Sequence, residues 1–130
     1  MPSNLRPYLV LDARPAAALG IGATSNVDFI ATCPMQIADA HCAPSVGNAG
    51  STARVLKDAL GNGIFVAISA ALVWAVAGDV VRAAALGTTL ASRTVTPTDV
   101  IRSEFIDGGG GGGANGNLYA HFVLTPVVGA

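Results

Sequence analysis

Two cysteines, two histidines and a string of six glycines are the residues of this chain whose chemistry could reach furthest. The soft metal donors are Cys33, Cys42, His41 and His121. Structural zinc sites are built from close pairs such as C-x2-4-C and H-x3-5-H, whose ligands converge on one ion. Cys33 and Cys42 stand nine residues apart, and His41 adjoins Cys42. Adjacent side chains of a strand point to opposite faces, so only one of that pair can reach a given site. The expectation is therefore two buried thiols and packed or solvent-facing histidines, with no metal and no cofactor.

The glycine run, Gly108, Gly109, Gly110, Gly111, Gly112 and Gly113, satisfies G-x-G-x-x-G trivially. A dinucleotide site needs that motif between a strand and a helix of a βαβ unit. No helix is predicted after this run, and no Gly-Lys-Ser/Thr phosphate loop is present. Nucleophile elbows of the form G-x-S-x-G are absent as well. Glu104 is the only glutamate, and Asp28, Asp58, Asp79 and Asp99 fall at predicted strand starts or turns. There aspartate normally hydrogen-bonds the backbone. The residues thus point away from an enzyme.

The elements that position these residues read as β. Residues 27–32 and 36–43 alternate, with Ile37, Asp39 and His41 expected on one face and Ala38, Ala40 and Cys42 on the other. A turn zone follows, then a strand over 52–58 and a hairpin turn over 60–63 centred on Asn62-Gly63. Residues 64–78 are uncharged and, apart from Ser69, apolar. The reading there is a strand over 64–68, an irregular stretch over 69–77 with a one-turn helix over 70–75 as the alternative, and a strand over 79–86. Strands over 92–96, 100–107 and 118–125 complete the pattern, with a turn at 96–99 that carries Pro97 in its second position. Turn signals every 8–12 residues predict an antiparallel β-sandwich or jelly roll of about 7–9 strands over 27–130. Residues 1–26, with three prolines and no sustained period, read as an extended N-terminal arm whose 8–11 segment could add a strand to a neighbour. The six glycines then join the two best strands as a hairpin loop. Fixing them would cost on the order of 10 kcal/mol, so the loop is either a free tip or held from outside.

Only 12% of the residues are charged and the formal net charge is −1. That gives no electrostatic case for nucleic acid or an anionic membrane. The longest uncharged apolar run, residues 64–78, is shorter than the roughly 20 residues a spanning helix needs, and the proline-rich start does not read as a signal peptide. A weakly charged surface favours association instead. Arginine is enriched at interfaces, so Arg54, Arg82, Arg93 and Arg102 on the strands, with Arg6, Tyr8 and Arg14 on the arm, are the candidate contact residues. Four phenylalanines, Phe29, Phe65, Phe105 and Phe122, are expected in the core, leaving Trp74 and Tyr119 as candidates for exposure.

The layout MQIADAHCAPSVGNAGSTARVLKDALGNGI, then GDVVRAAALGTTLASRTVTPTDVIRSEF, then NLYAHFVLTP resembles small structural proteins of tailed bacteriophages. These include capsid decoration or cement proteins and some head-fibre domains. The resemblance implies a β-sandwich or jelly-roll module, commonly a homotrimer. Such a module sits on the virion surface and clamps neighbouring copies of the major capsid protein. Two alternatives follow from the same residues. One is a fibre or adhesin module that reads host glycans through Trp74 and Tyr119, and the other is a small shell protein that assembles by itself.

Overall fold

The computed structural model describes residues 8–15, 23–46, 51–73, 81–82, 86, 93–107 and 115–124. Its strands are β1 (Tyr8–Ala13), β2 (Thr24–Ile30), β3 (Met35–Val46), β4 (Thr52–Asp58), β5 (Phe65–Ala67), β6 (Leu72–Val73), β7 (Val81–Arg82), β8 (Thr94–Val95), β9 (Val100–Ile106) and β10 (Asn115–Leu124). They form two antiparallel five-stranded sheets. The first, sheet A, runs β1-β10-β3, with β7 and β8 pairing successive stretches of the far side of β3. The second, sheet B, runs β2-β9-β4, with β5 and β6 sharing the far side of β4 in the same way. The first strand thus pairs with the last, β2 with β9, β3 with β7 and β8, and β4 with β5 and β6. Nested pairing of this kind is a long hairpin rolled into two facing sheets, the order of a jelly roll.

Alternation explains why the sheets face each other. In β9, Ile101, Ser103 and Phe105 point inward and are buried, while Val100, Arg102, Glu104 and Ile106 point outward. In β10, Leu118, Ala120 and Phe122 are buried and Asn117, Tyr119 and His121 face out. Phe105 and Phe122 are fully buried, alongside Met35, Ile37, Ile68 and Leu72. Each such side chain contributes about 1.5–3 kcal/mol by leaving water.

β3 departs from the predicted alternation. His121 pairs with Asp39, but the next residue, Phe122, pairs with Ile37. Ala38 is the extra residue of a β-bulge, and Ala38 and Asp39 both lie outside the core. Ile37 is therefore buried beside Ala40 and Cys42 rather than sharing a face with Asp39 and His41. A bulge shifts the side-chain period by one residue, and an alternation drawn straight through the strand misses it.

Three further expectations change. β1 is an edge strand of this chain's own sheet, paired with β10 from Tyr8↔Val123 to Ala13↔Leu118, and Ala13 is buried. Within the span 1–26 expected as an arm, residues 8–13 and 24–26 are thus sheet strands. The glycine run is not a hairpin loop, because β9 and β10 belong to different sheets. β9 has β2 and β4 on its two sides, and β10 has β1 and β3, so neither strand has an edge left for the other. Residues 108–113 connect one sheet to the other and lie outside the described residues. Residues 70–73 are not helical: Leu72 and Val73 pair with β4.

Asp58 and Asp99 organise the β4–β5 turn as their predicted role requires. The Asp58 carboxylate accepts from the backbone N–H of Asn62 at 2.9 Å and of Gly63 at 2.8 Å. Asp99 accepts from Thr96 N–H at 2.8 Å and Leu60 N–H at 3.2 Å. The predicted 96–99 turn is closed by the Asp99 N–H donating to the Thr96 carbonyl at 2.9 Å. Leu60 is held between them at φ 64°.

Candidate functional site

The outer face of sheet A carries a polar constellation at its centre. Strand pairing sets Asp12, Tyr119 and His41 in one row, with Arg82 of β7 opposite His41. Val10, His121 and Asp39 form the adjacent row. The His41 ring stacks on both neighbours from β10, with centroids 5.0 Å from Tyr119 and 5.0 Å from His121. Asp39, His41 and His121 each offer a ligand atom within 4.8 Å of the other two. All three are half-buried, and the His121 Nε2 is enclosed with no hydrogen-bond partner. Above them, Asn117 Nδ2 donates to Asp12 Oδ1 at 2.7 Å.

Spacing along the chain set these donors apart, because His41 and His121 lie on strands far apart in sequence. Only the β3–β10 register makes them neighbours, and nothing in the sequence prints that register. The argument that His41 and Cys42 face opposite ways holds: Cys42 is buried in the core and His41 is on the outer face. Cys33 is half-buried, and the two thiols are not joined in a disulfide.

The outer face of sheet B is built differently. Arg54 pairs with its cross-strand partner Glu104 at 2.6 Å. Arg102 grips Asp28, its partner on β2, through Nε at 2.8 Å and Nη2 at 3.0 Å. Asp28 is thus an ion-pair partner in mid-strand, not a backbone cap at a strand start. The Arg102 hydrogen bonds hold the Asp28 carboxyl below its ordinary pKa against the opposing effect of burial, and Asp28 in return raises that of Arg102. Arg102 also lies 3.7 Å over the ring of Phe65. Phe65 is half-buried beneath this cation and stands apart from the core cluster, whereas Phe29, Phe105 and Phe122 pack in or against it. Val73 and Ile30 are exposed at opposite ends of this face, and Leu60, Ile64 and Val66 are exposed around the β4–β5 turn.

The arginines expected at an interface therefore divide. Arg54 and Arg102 have their charge engaged within the chain. Arg14 is exposed and donates to Asn115 Oδ1 at 3.1 Å and Ser45 Oγ at 3.4 Å. Arg93 precedes β8 with its Nε enclosed and without a hydrogen-bond partner. Arg82 and Tyr8 are placed by their strands alone, and Arg6 and Trp74 lie outside the described residues. Comparison with protein-family models, with curated proteins and with solved structures finds no match to this chain.

Proposed function

We propose that this chain is a structural module of a virus particle, a capsid decoration or cement protein without enzymatic activity. It binds the assembled shell of the major capsid protein as a homotrimer. The observation that carries the reading is the outer face of sheet B. Its arginines cancel their charges within the chain, while Ile30 and Val73 on this face, and Leu60, Ile64 and Val66 around the β4–β5 turn, stay exposed at 47–75%. Large exposed apolar side chains around an internally neutralised face suit burial against another protein more than permanent contact with water. The jelly-roll order supports the same reading, since it recurs in viral capsid domains as well as in lectins and cupins. So does the low overall charge, which weakens mutual repulsion between copies.

A protein that binds only assembled shells stabilises them by mass action. The test is co-sedimentation with shells of the phage that encodes the chain. Retention on closed shells and none on free capsid subunits is expected, and the shells should rupture at a higher temperature when decorated. Equal binding to free subunits, closed particles formed by this chain alone, or saturable binding to a glycan array without shell binding would each overturn the assignment.

A further inference from the structure

We propose that Asp39, His41 and His121 form a binding site for one divalent transition metal of the zinc class on the outer face of sheet A. The three donors come from two strands that are each held on both sides, β3 and β10. Asp39 and His41 share a face because they are two residues apart on β3. His121 lies directly opposite Asp39 and diagonal to His41. The bulge at Ala38 falls beside this trio, where such irregularities commonly re-aim a side chain toward a site.

Tetrahedral zinc bonds of about 2.0–2.2 Å put two ligand atoms roughly 3.3–3.6 Å apart. The donors here are within 4.8 Å of one another, so side-chain rotations that draw them together by about an ångström close the set. An enclosed imidazole nitrogen without a partner, His121 Nε2, is a polar group whose burial is otherwise uncompensated. A metal ion would satisfy it. Two imidazoles with one carboxylate favour zinc, nickel, cobalt or copper over calcium and magnesium, which take all-oxygen shells. Three protein ligands leave at least one coordination position for water or for a group from outside the chain. The Tyr119 ring stacks on His41 with centroids 5.0 Å apart. A bound ion would tie β3 to β10 on the face opposite the core, and the site is independent of what the protein decorates.

The test is titration of the metal-free full chain carrying Cys33→Ser, which removes the half-buried thiol as a competing ligand. Zinc chloride is followed by calorimetry, and cobalt chloride by visible absorption. One ion per chain is expected, with a cobalt spectrum of nitrogen and oxygen ligands. His121→Asn and His41→Asn should each weaken binding by more than the tenfold to hundredfold that loss of an outer partner costs, and Asp39→Asn should weaken it clearly. Imidazole nitrogen resonances of the unaltered histidines give a second readout that needs no variant: both histidines should shift on zinc addition. Absence of uptake at 100 µM zinc, uptake unchanged in His121→Asn, or imidazole signals that do not move would each overturn the site.

Discussion

At the residue scale, three positions have consequences that single substitutions expose. Gly116 sits at φ 155°, where an added Cβ would come 2.6 Å from the Ala43 carbonyl oxygen and 2.7 Å from Pro44 Cα. Both are backbone atoms and cannot step aside, so Gly116→Ala should cost about 1–3 kcal/mol in urea unfolding. Leu60 is the opposite case. It holds a left-handed conformation with its side chain 75% exposed. An L residue there costs about 1–2 kcal/mol that glycine avoids, offset in part by the larger entropy glycine loses on folding. Leu60→Gly should therefore raise stability by up to about 1 kcal/mol, read as a higher thermal midpoint. Asp28 sets a pH response. Its folded-state pKa is lowered by Arg102, so the folded state holds fewer protons than the unfolded one as the carboxyl titrates. That stability is present above the ordinary carboxylate pKa near 3.8 and is lost as pH falls through the lowered folded value. Asp28→Asn should flatten the acid limb of the stability profile. Because the pair is partly solvent-exposed, its worth at neutral pH is about 0.2–1 kcal/mol, measurable in a double-mutant cycle with Arg102.

At the element scale, strands with strict alternation were readable and strands set by their partners were not. β4 falls on the predicted span 52–58, and β9 and β10 carry the inward Phe105 and Phe122 that their period required. The Asp58 turn and the Thr96–Asp99 turn followed from local chemistry, since those bonds run to backbone a few residues away, whereas the Asp99 bond to Leu60 N–H spans the chain and did not. Phe65 misled because an apolar side chain on a strand can lie under a cation on the outer face as readily as in the core. The bulge at Ala38 misled because it is a property of the β3–β10 ladder, not of β3. Deleting Ala38 should leave the pairing regular from Gly116 to Leu124 with Ile37 still inward, so cooperative unfolding is expected to survive, as a circular dichroism melt would show. Loss of the transition would mean that the bulge itself holds the sheet together. The N-terminal segment needs a similar distinction. Removing residues 1–7 leaves β1 in place and tests the arm alone. Removing residues 1–24 strips the edge of β10 and should destabilise the sandwich itself.

At the scale of the whole molecule, the fold class was legible and the pairing was not. Short alternating segments between regular turns imply two packed sheets, but alternation says nothing about which strand lies beside which. The nested order that puts β1 on β10 and β2 on β9 joins the ends of the chain. The same order sets β9 and β10 in different sheets and brings His41 to His121. The arginines show the limit in another way: their number and type suggested contact, yet Arg54 and Arg102 find their counter-charges at home. What stays exposed includes single large apolar side chains, Ile30, Leu60 and Ile64 among them, on a weakly charged molecule. Such a surface is best used in several copies, where each contact gains from its neighbours through effective concentration. Native mass spectrometry of the full chain at micromolar concentration tests this most directly. The account predicts a homotrimer at three times the 12.9 kDa chain mass, and a monomer at 12.9 kDa across that range would contradict it.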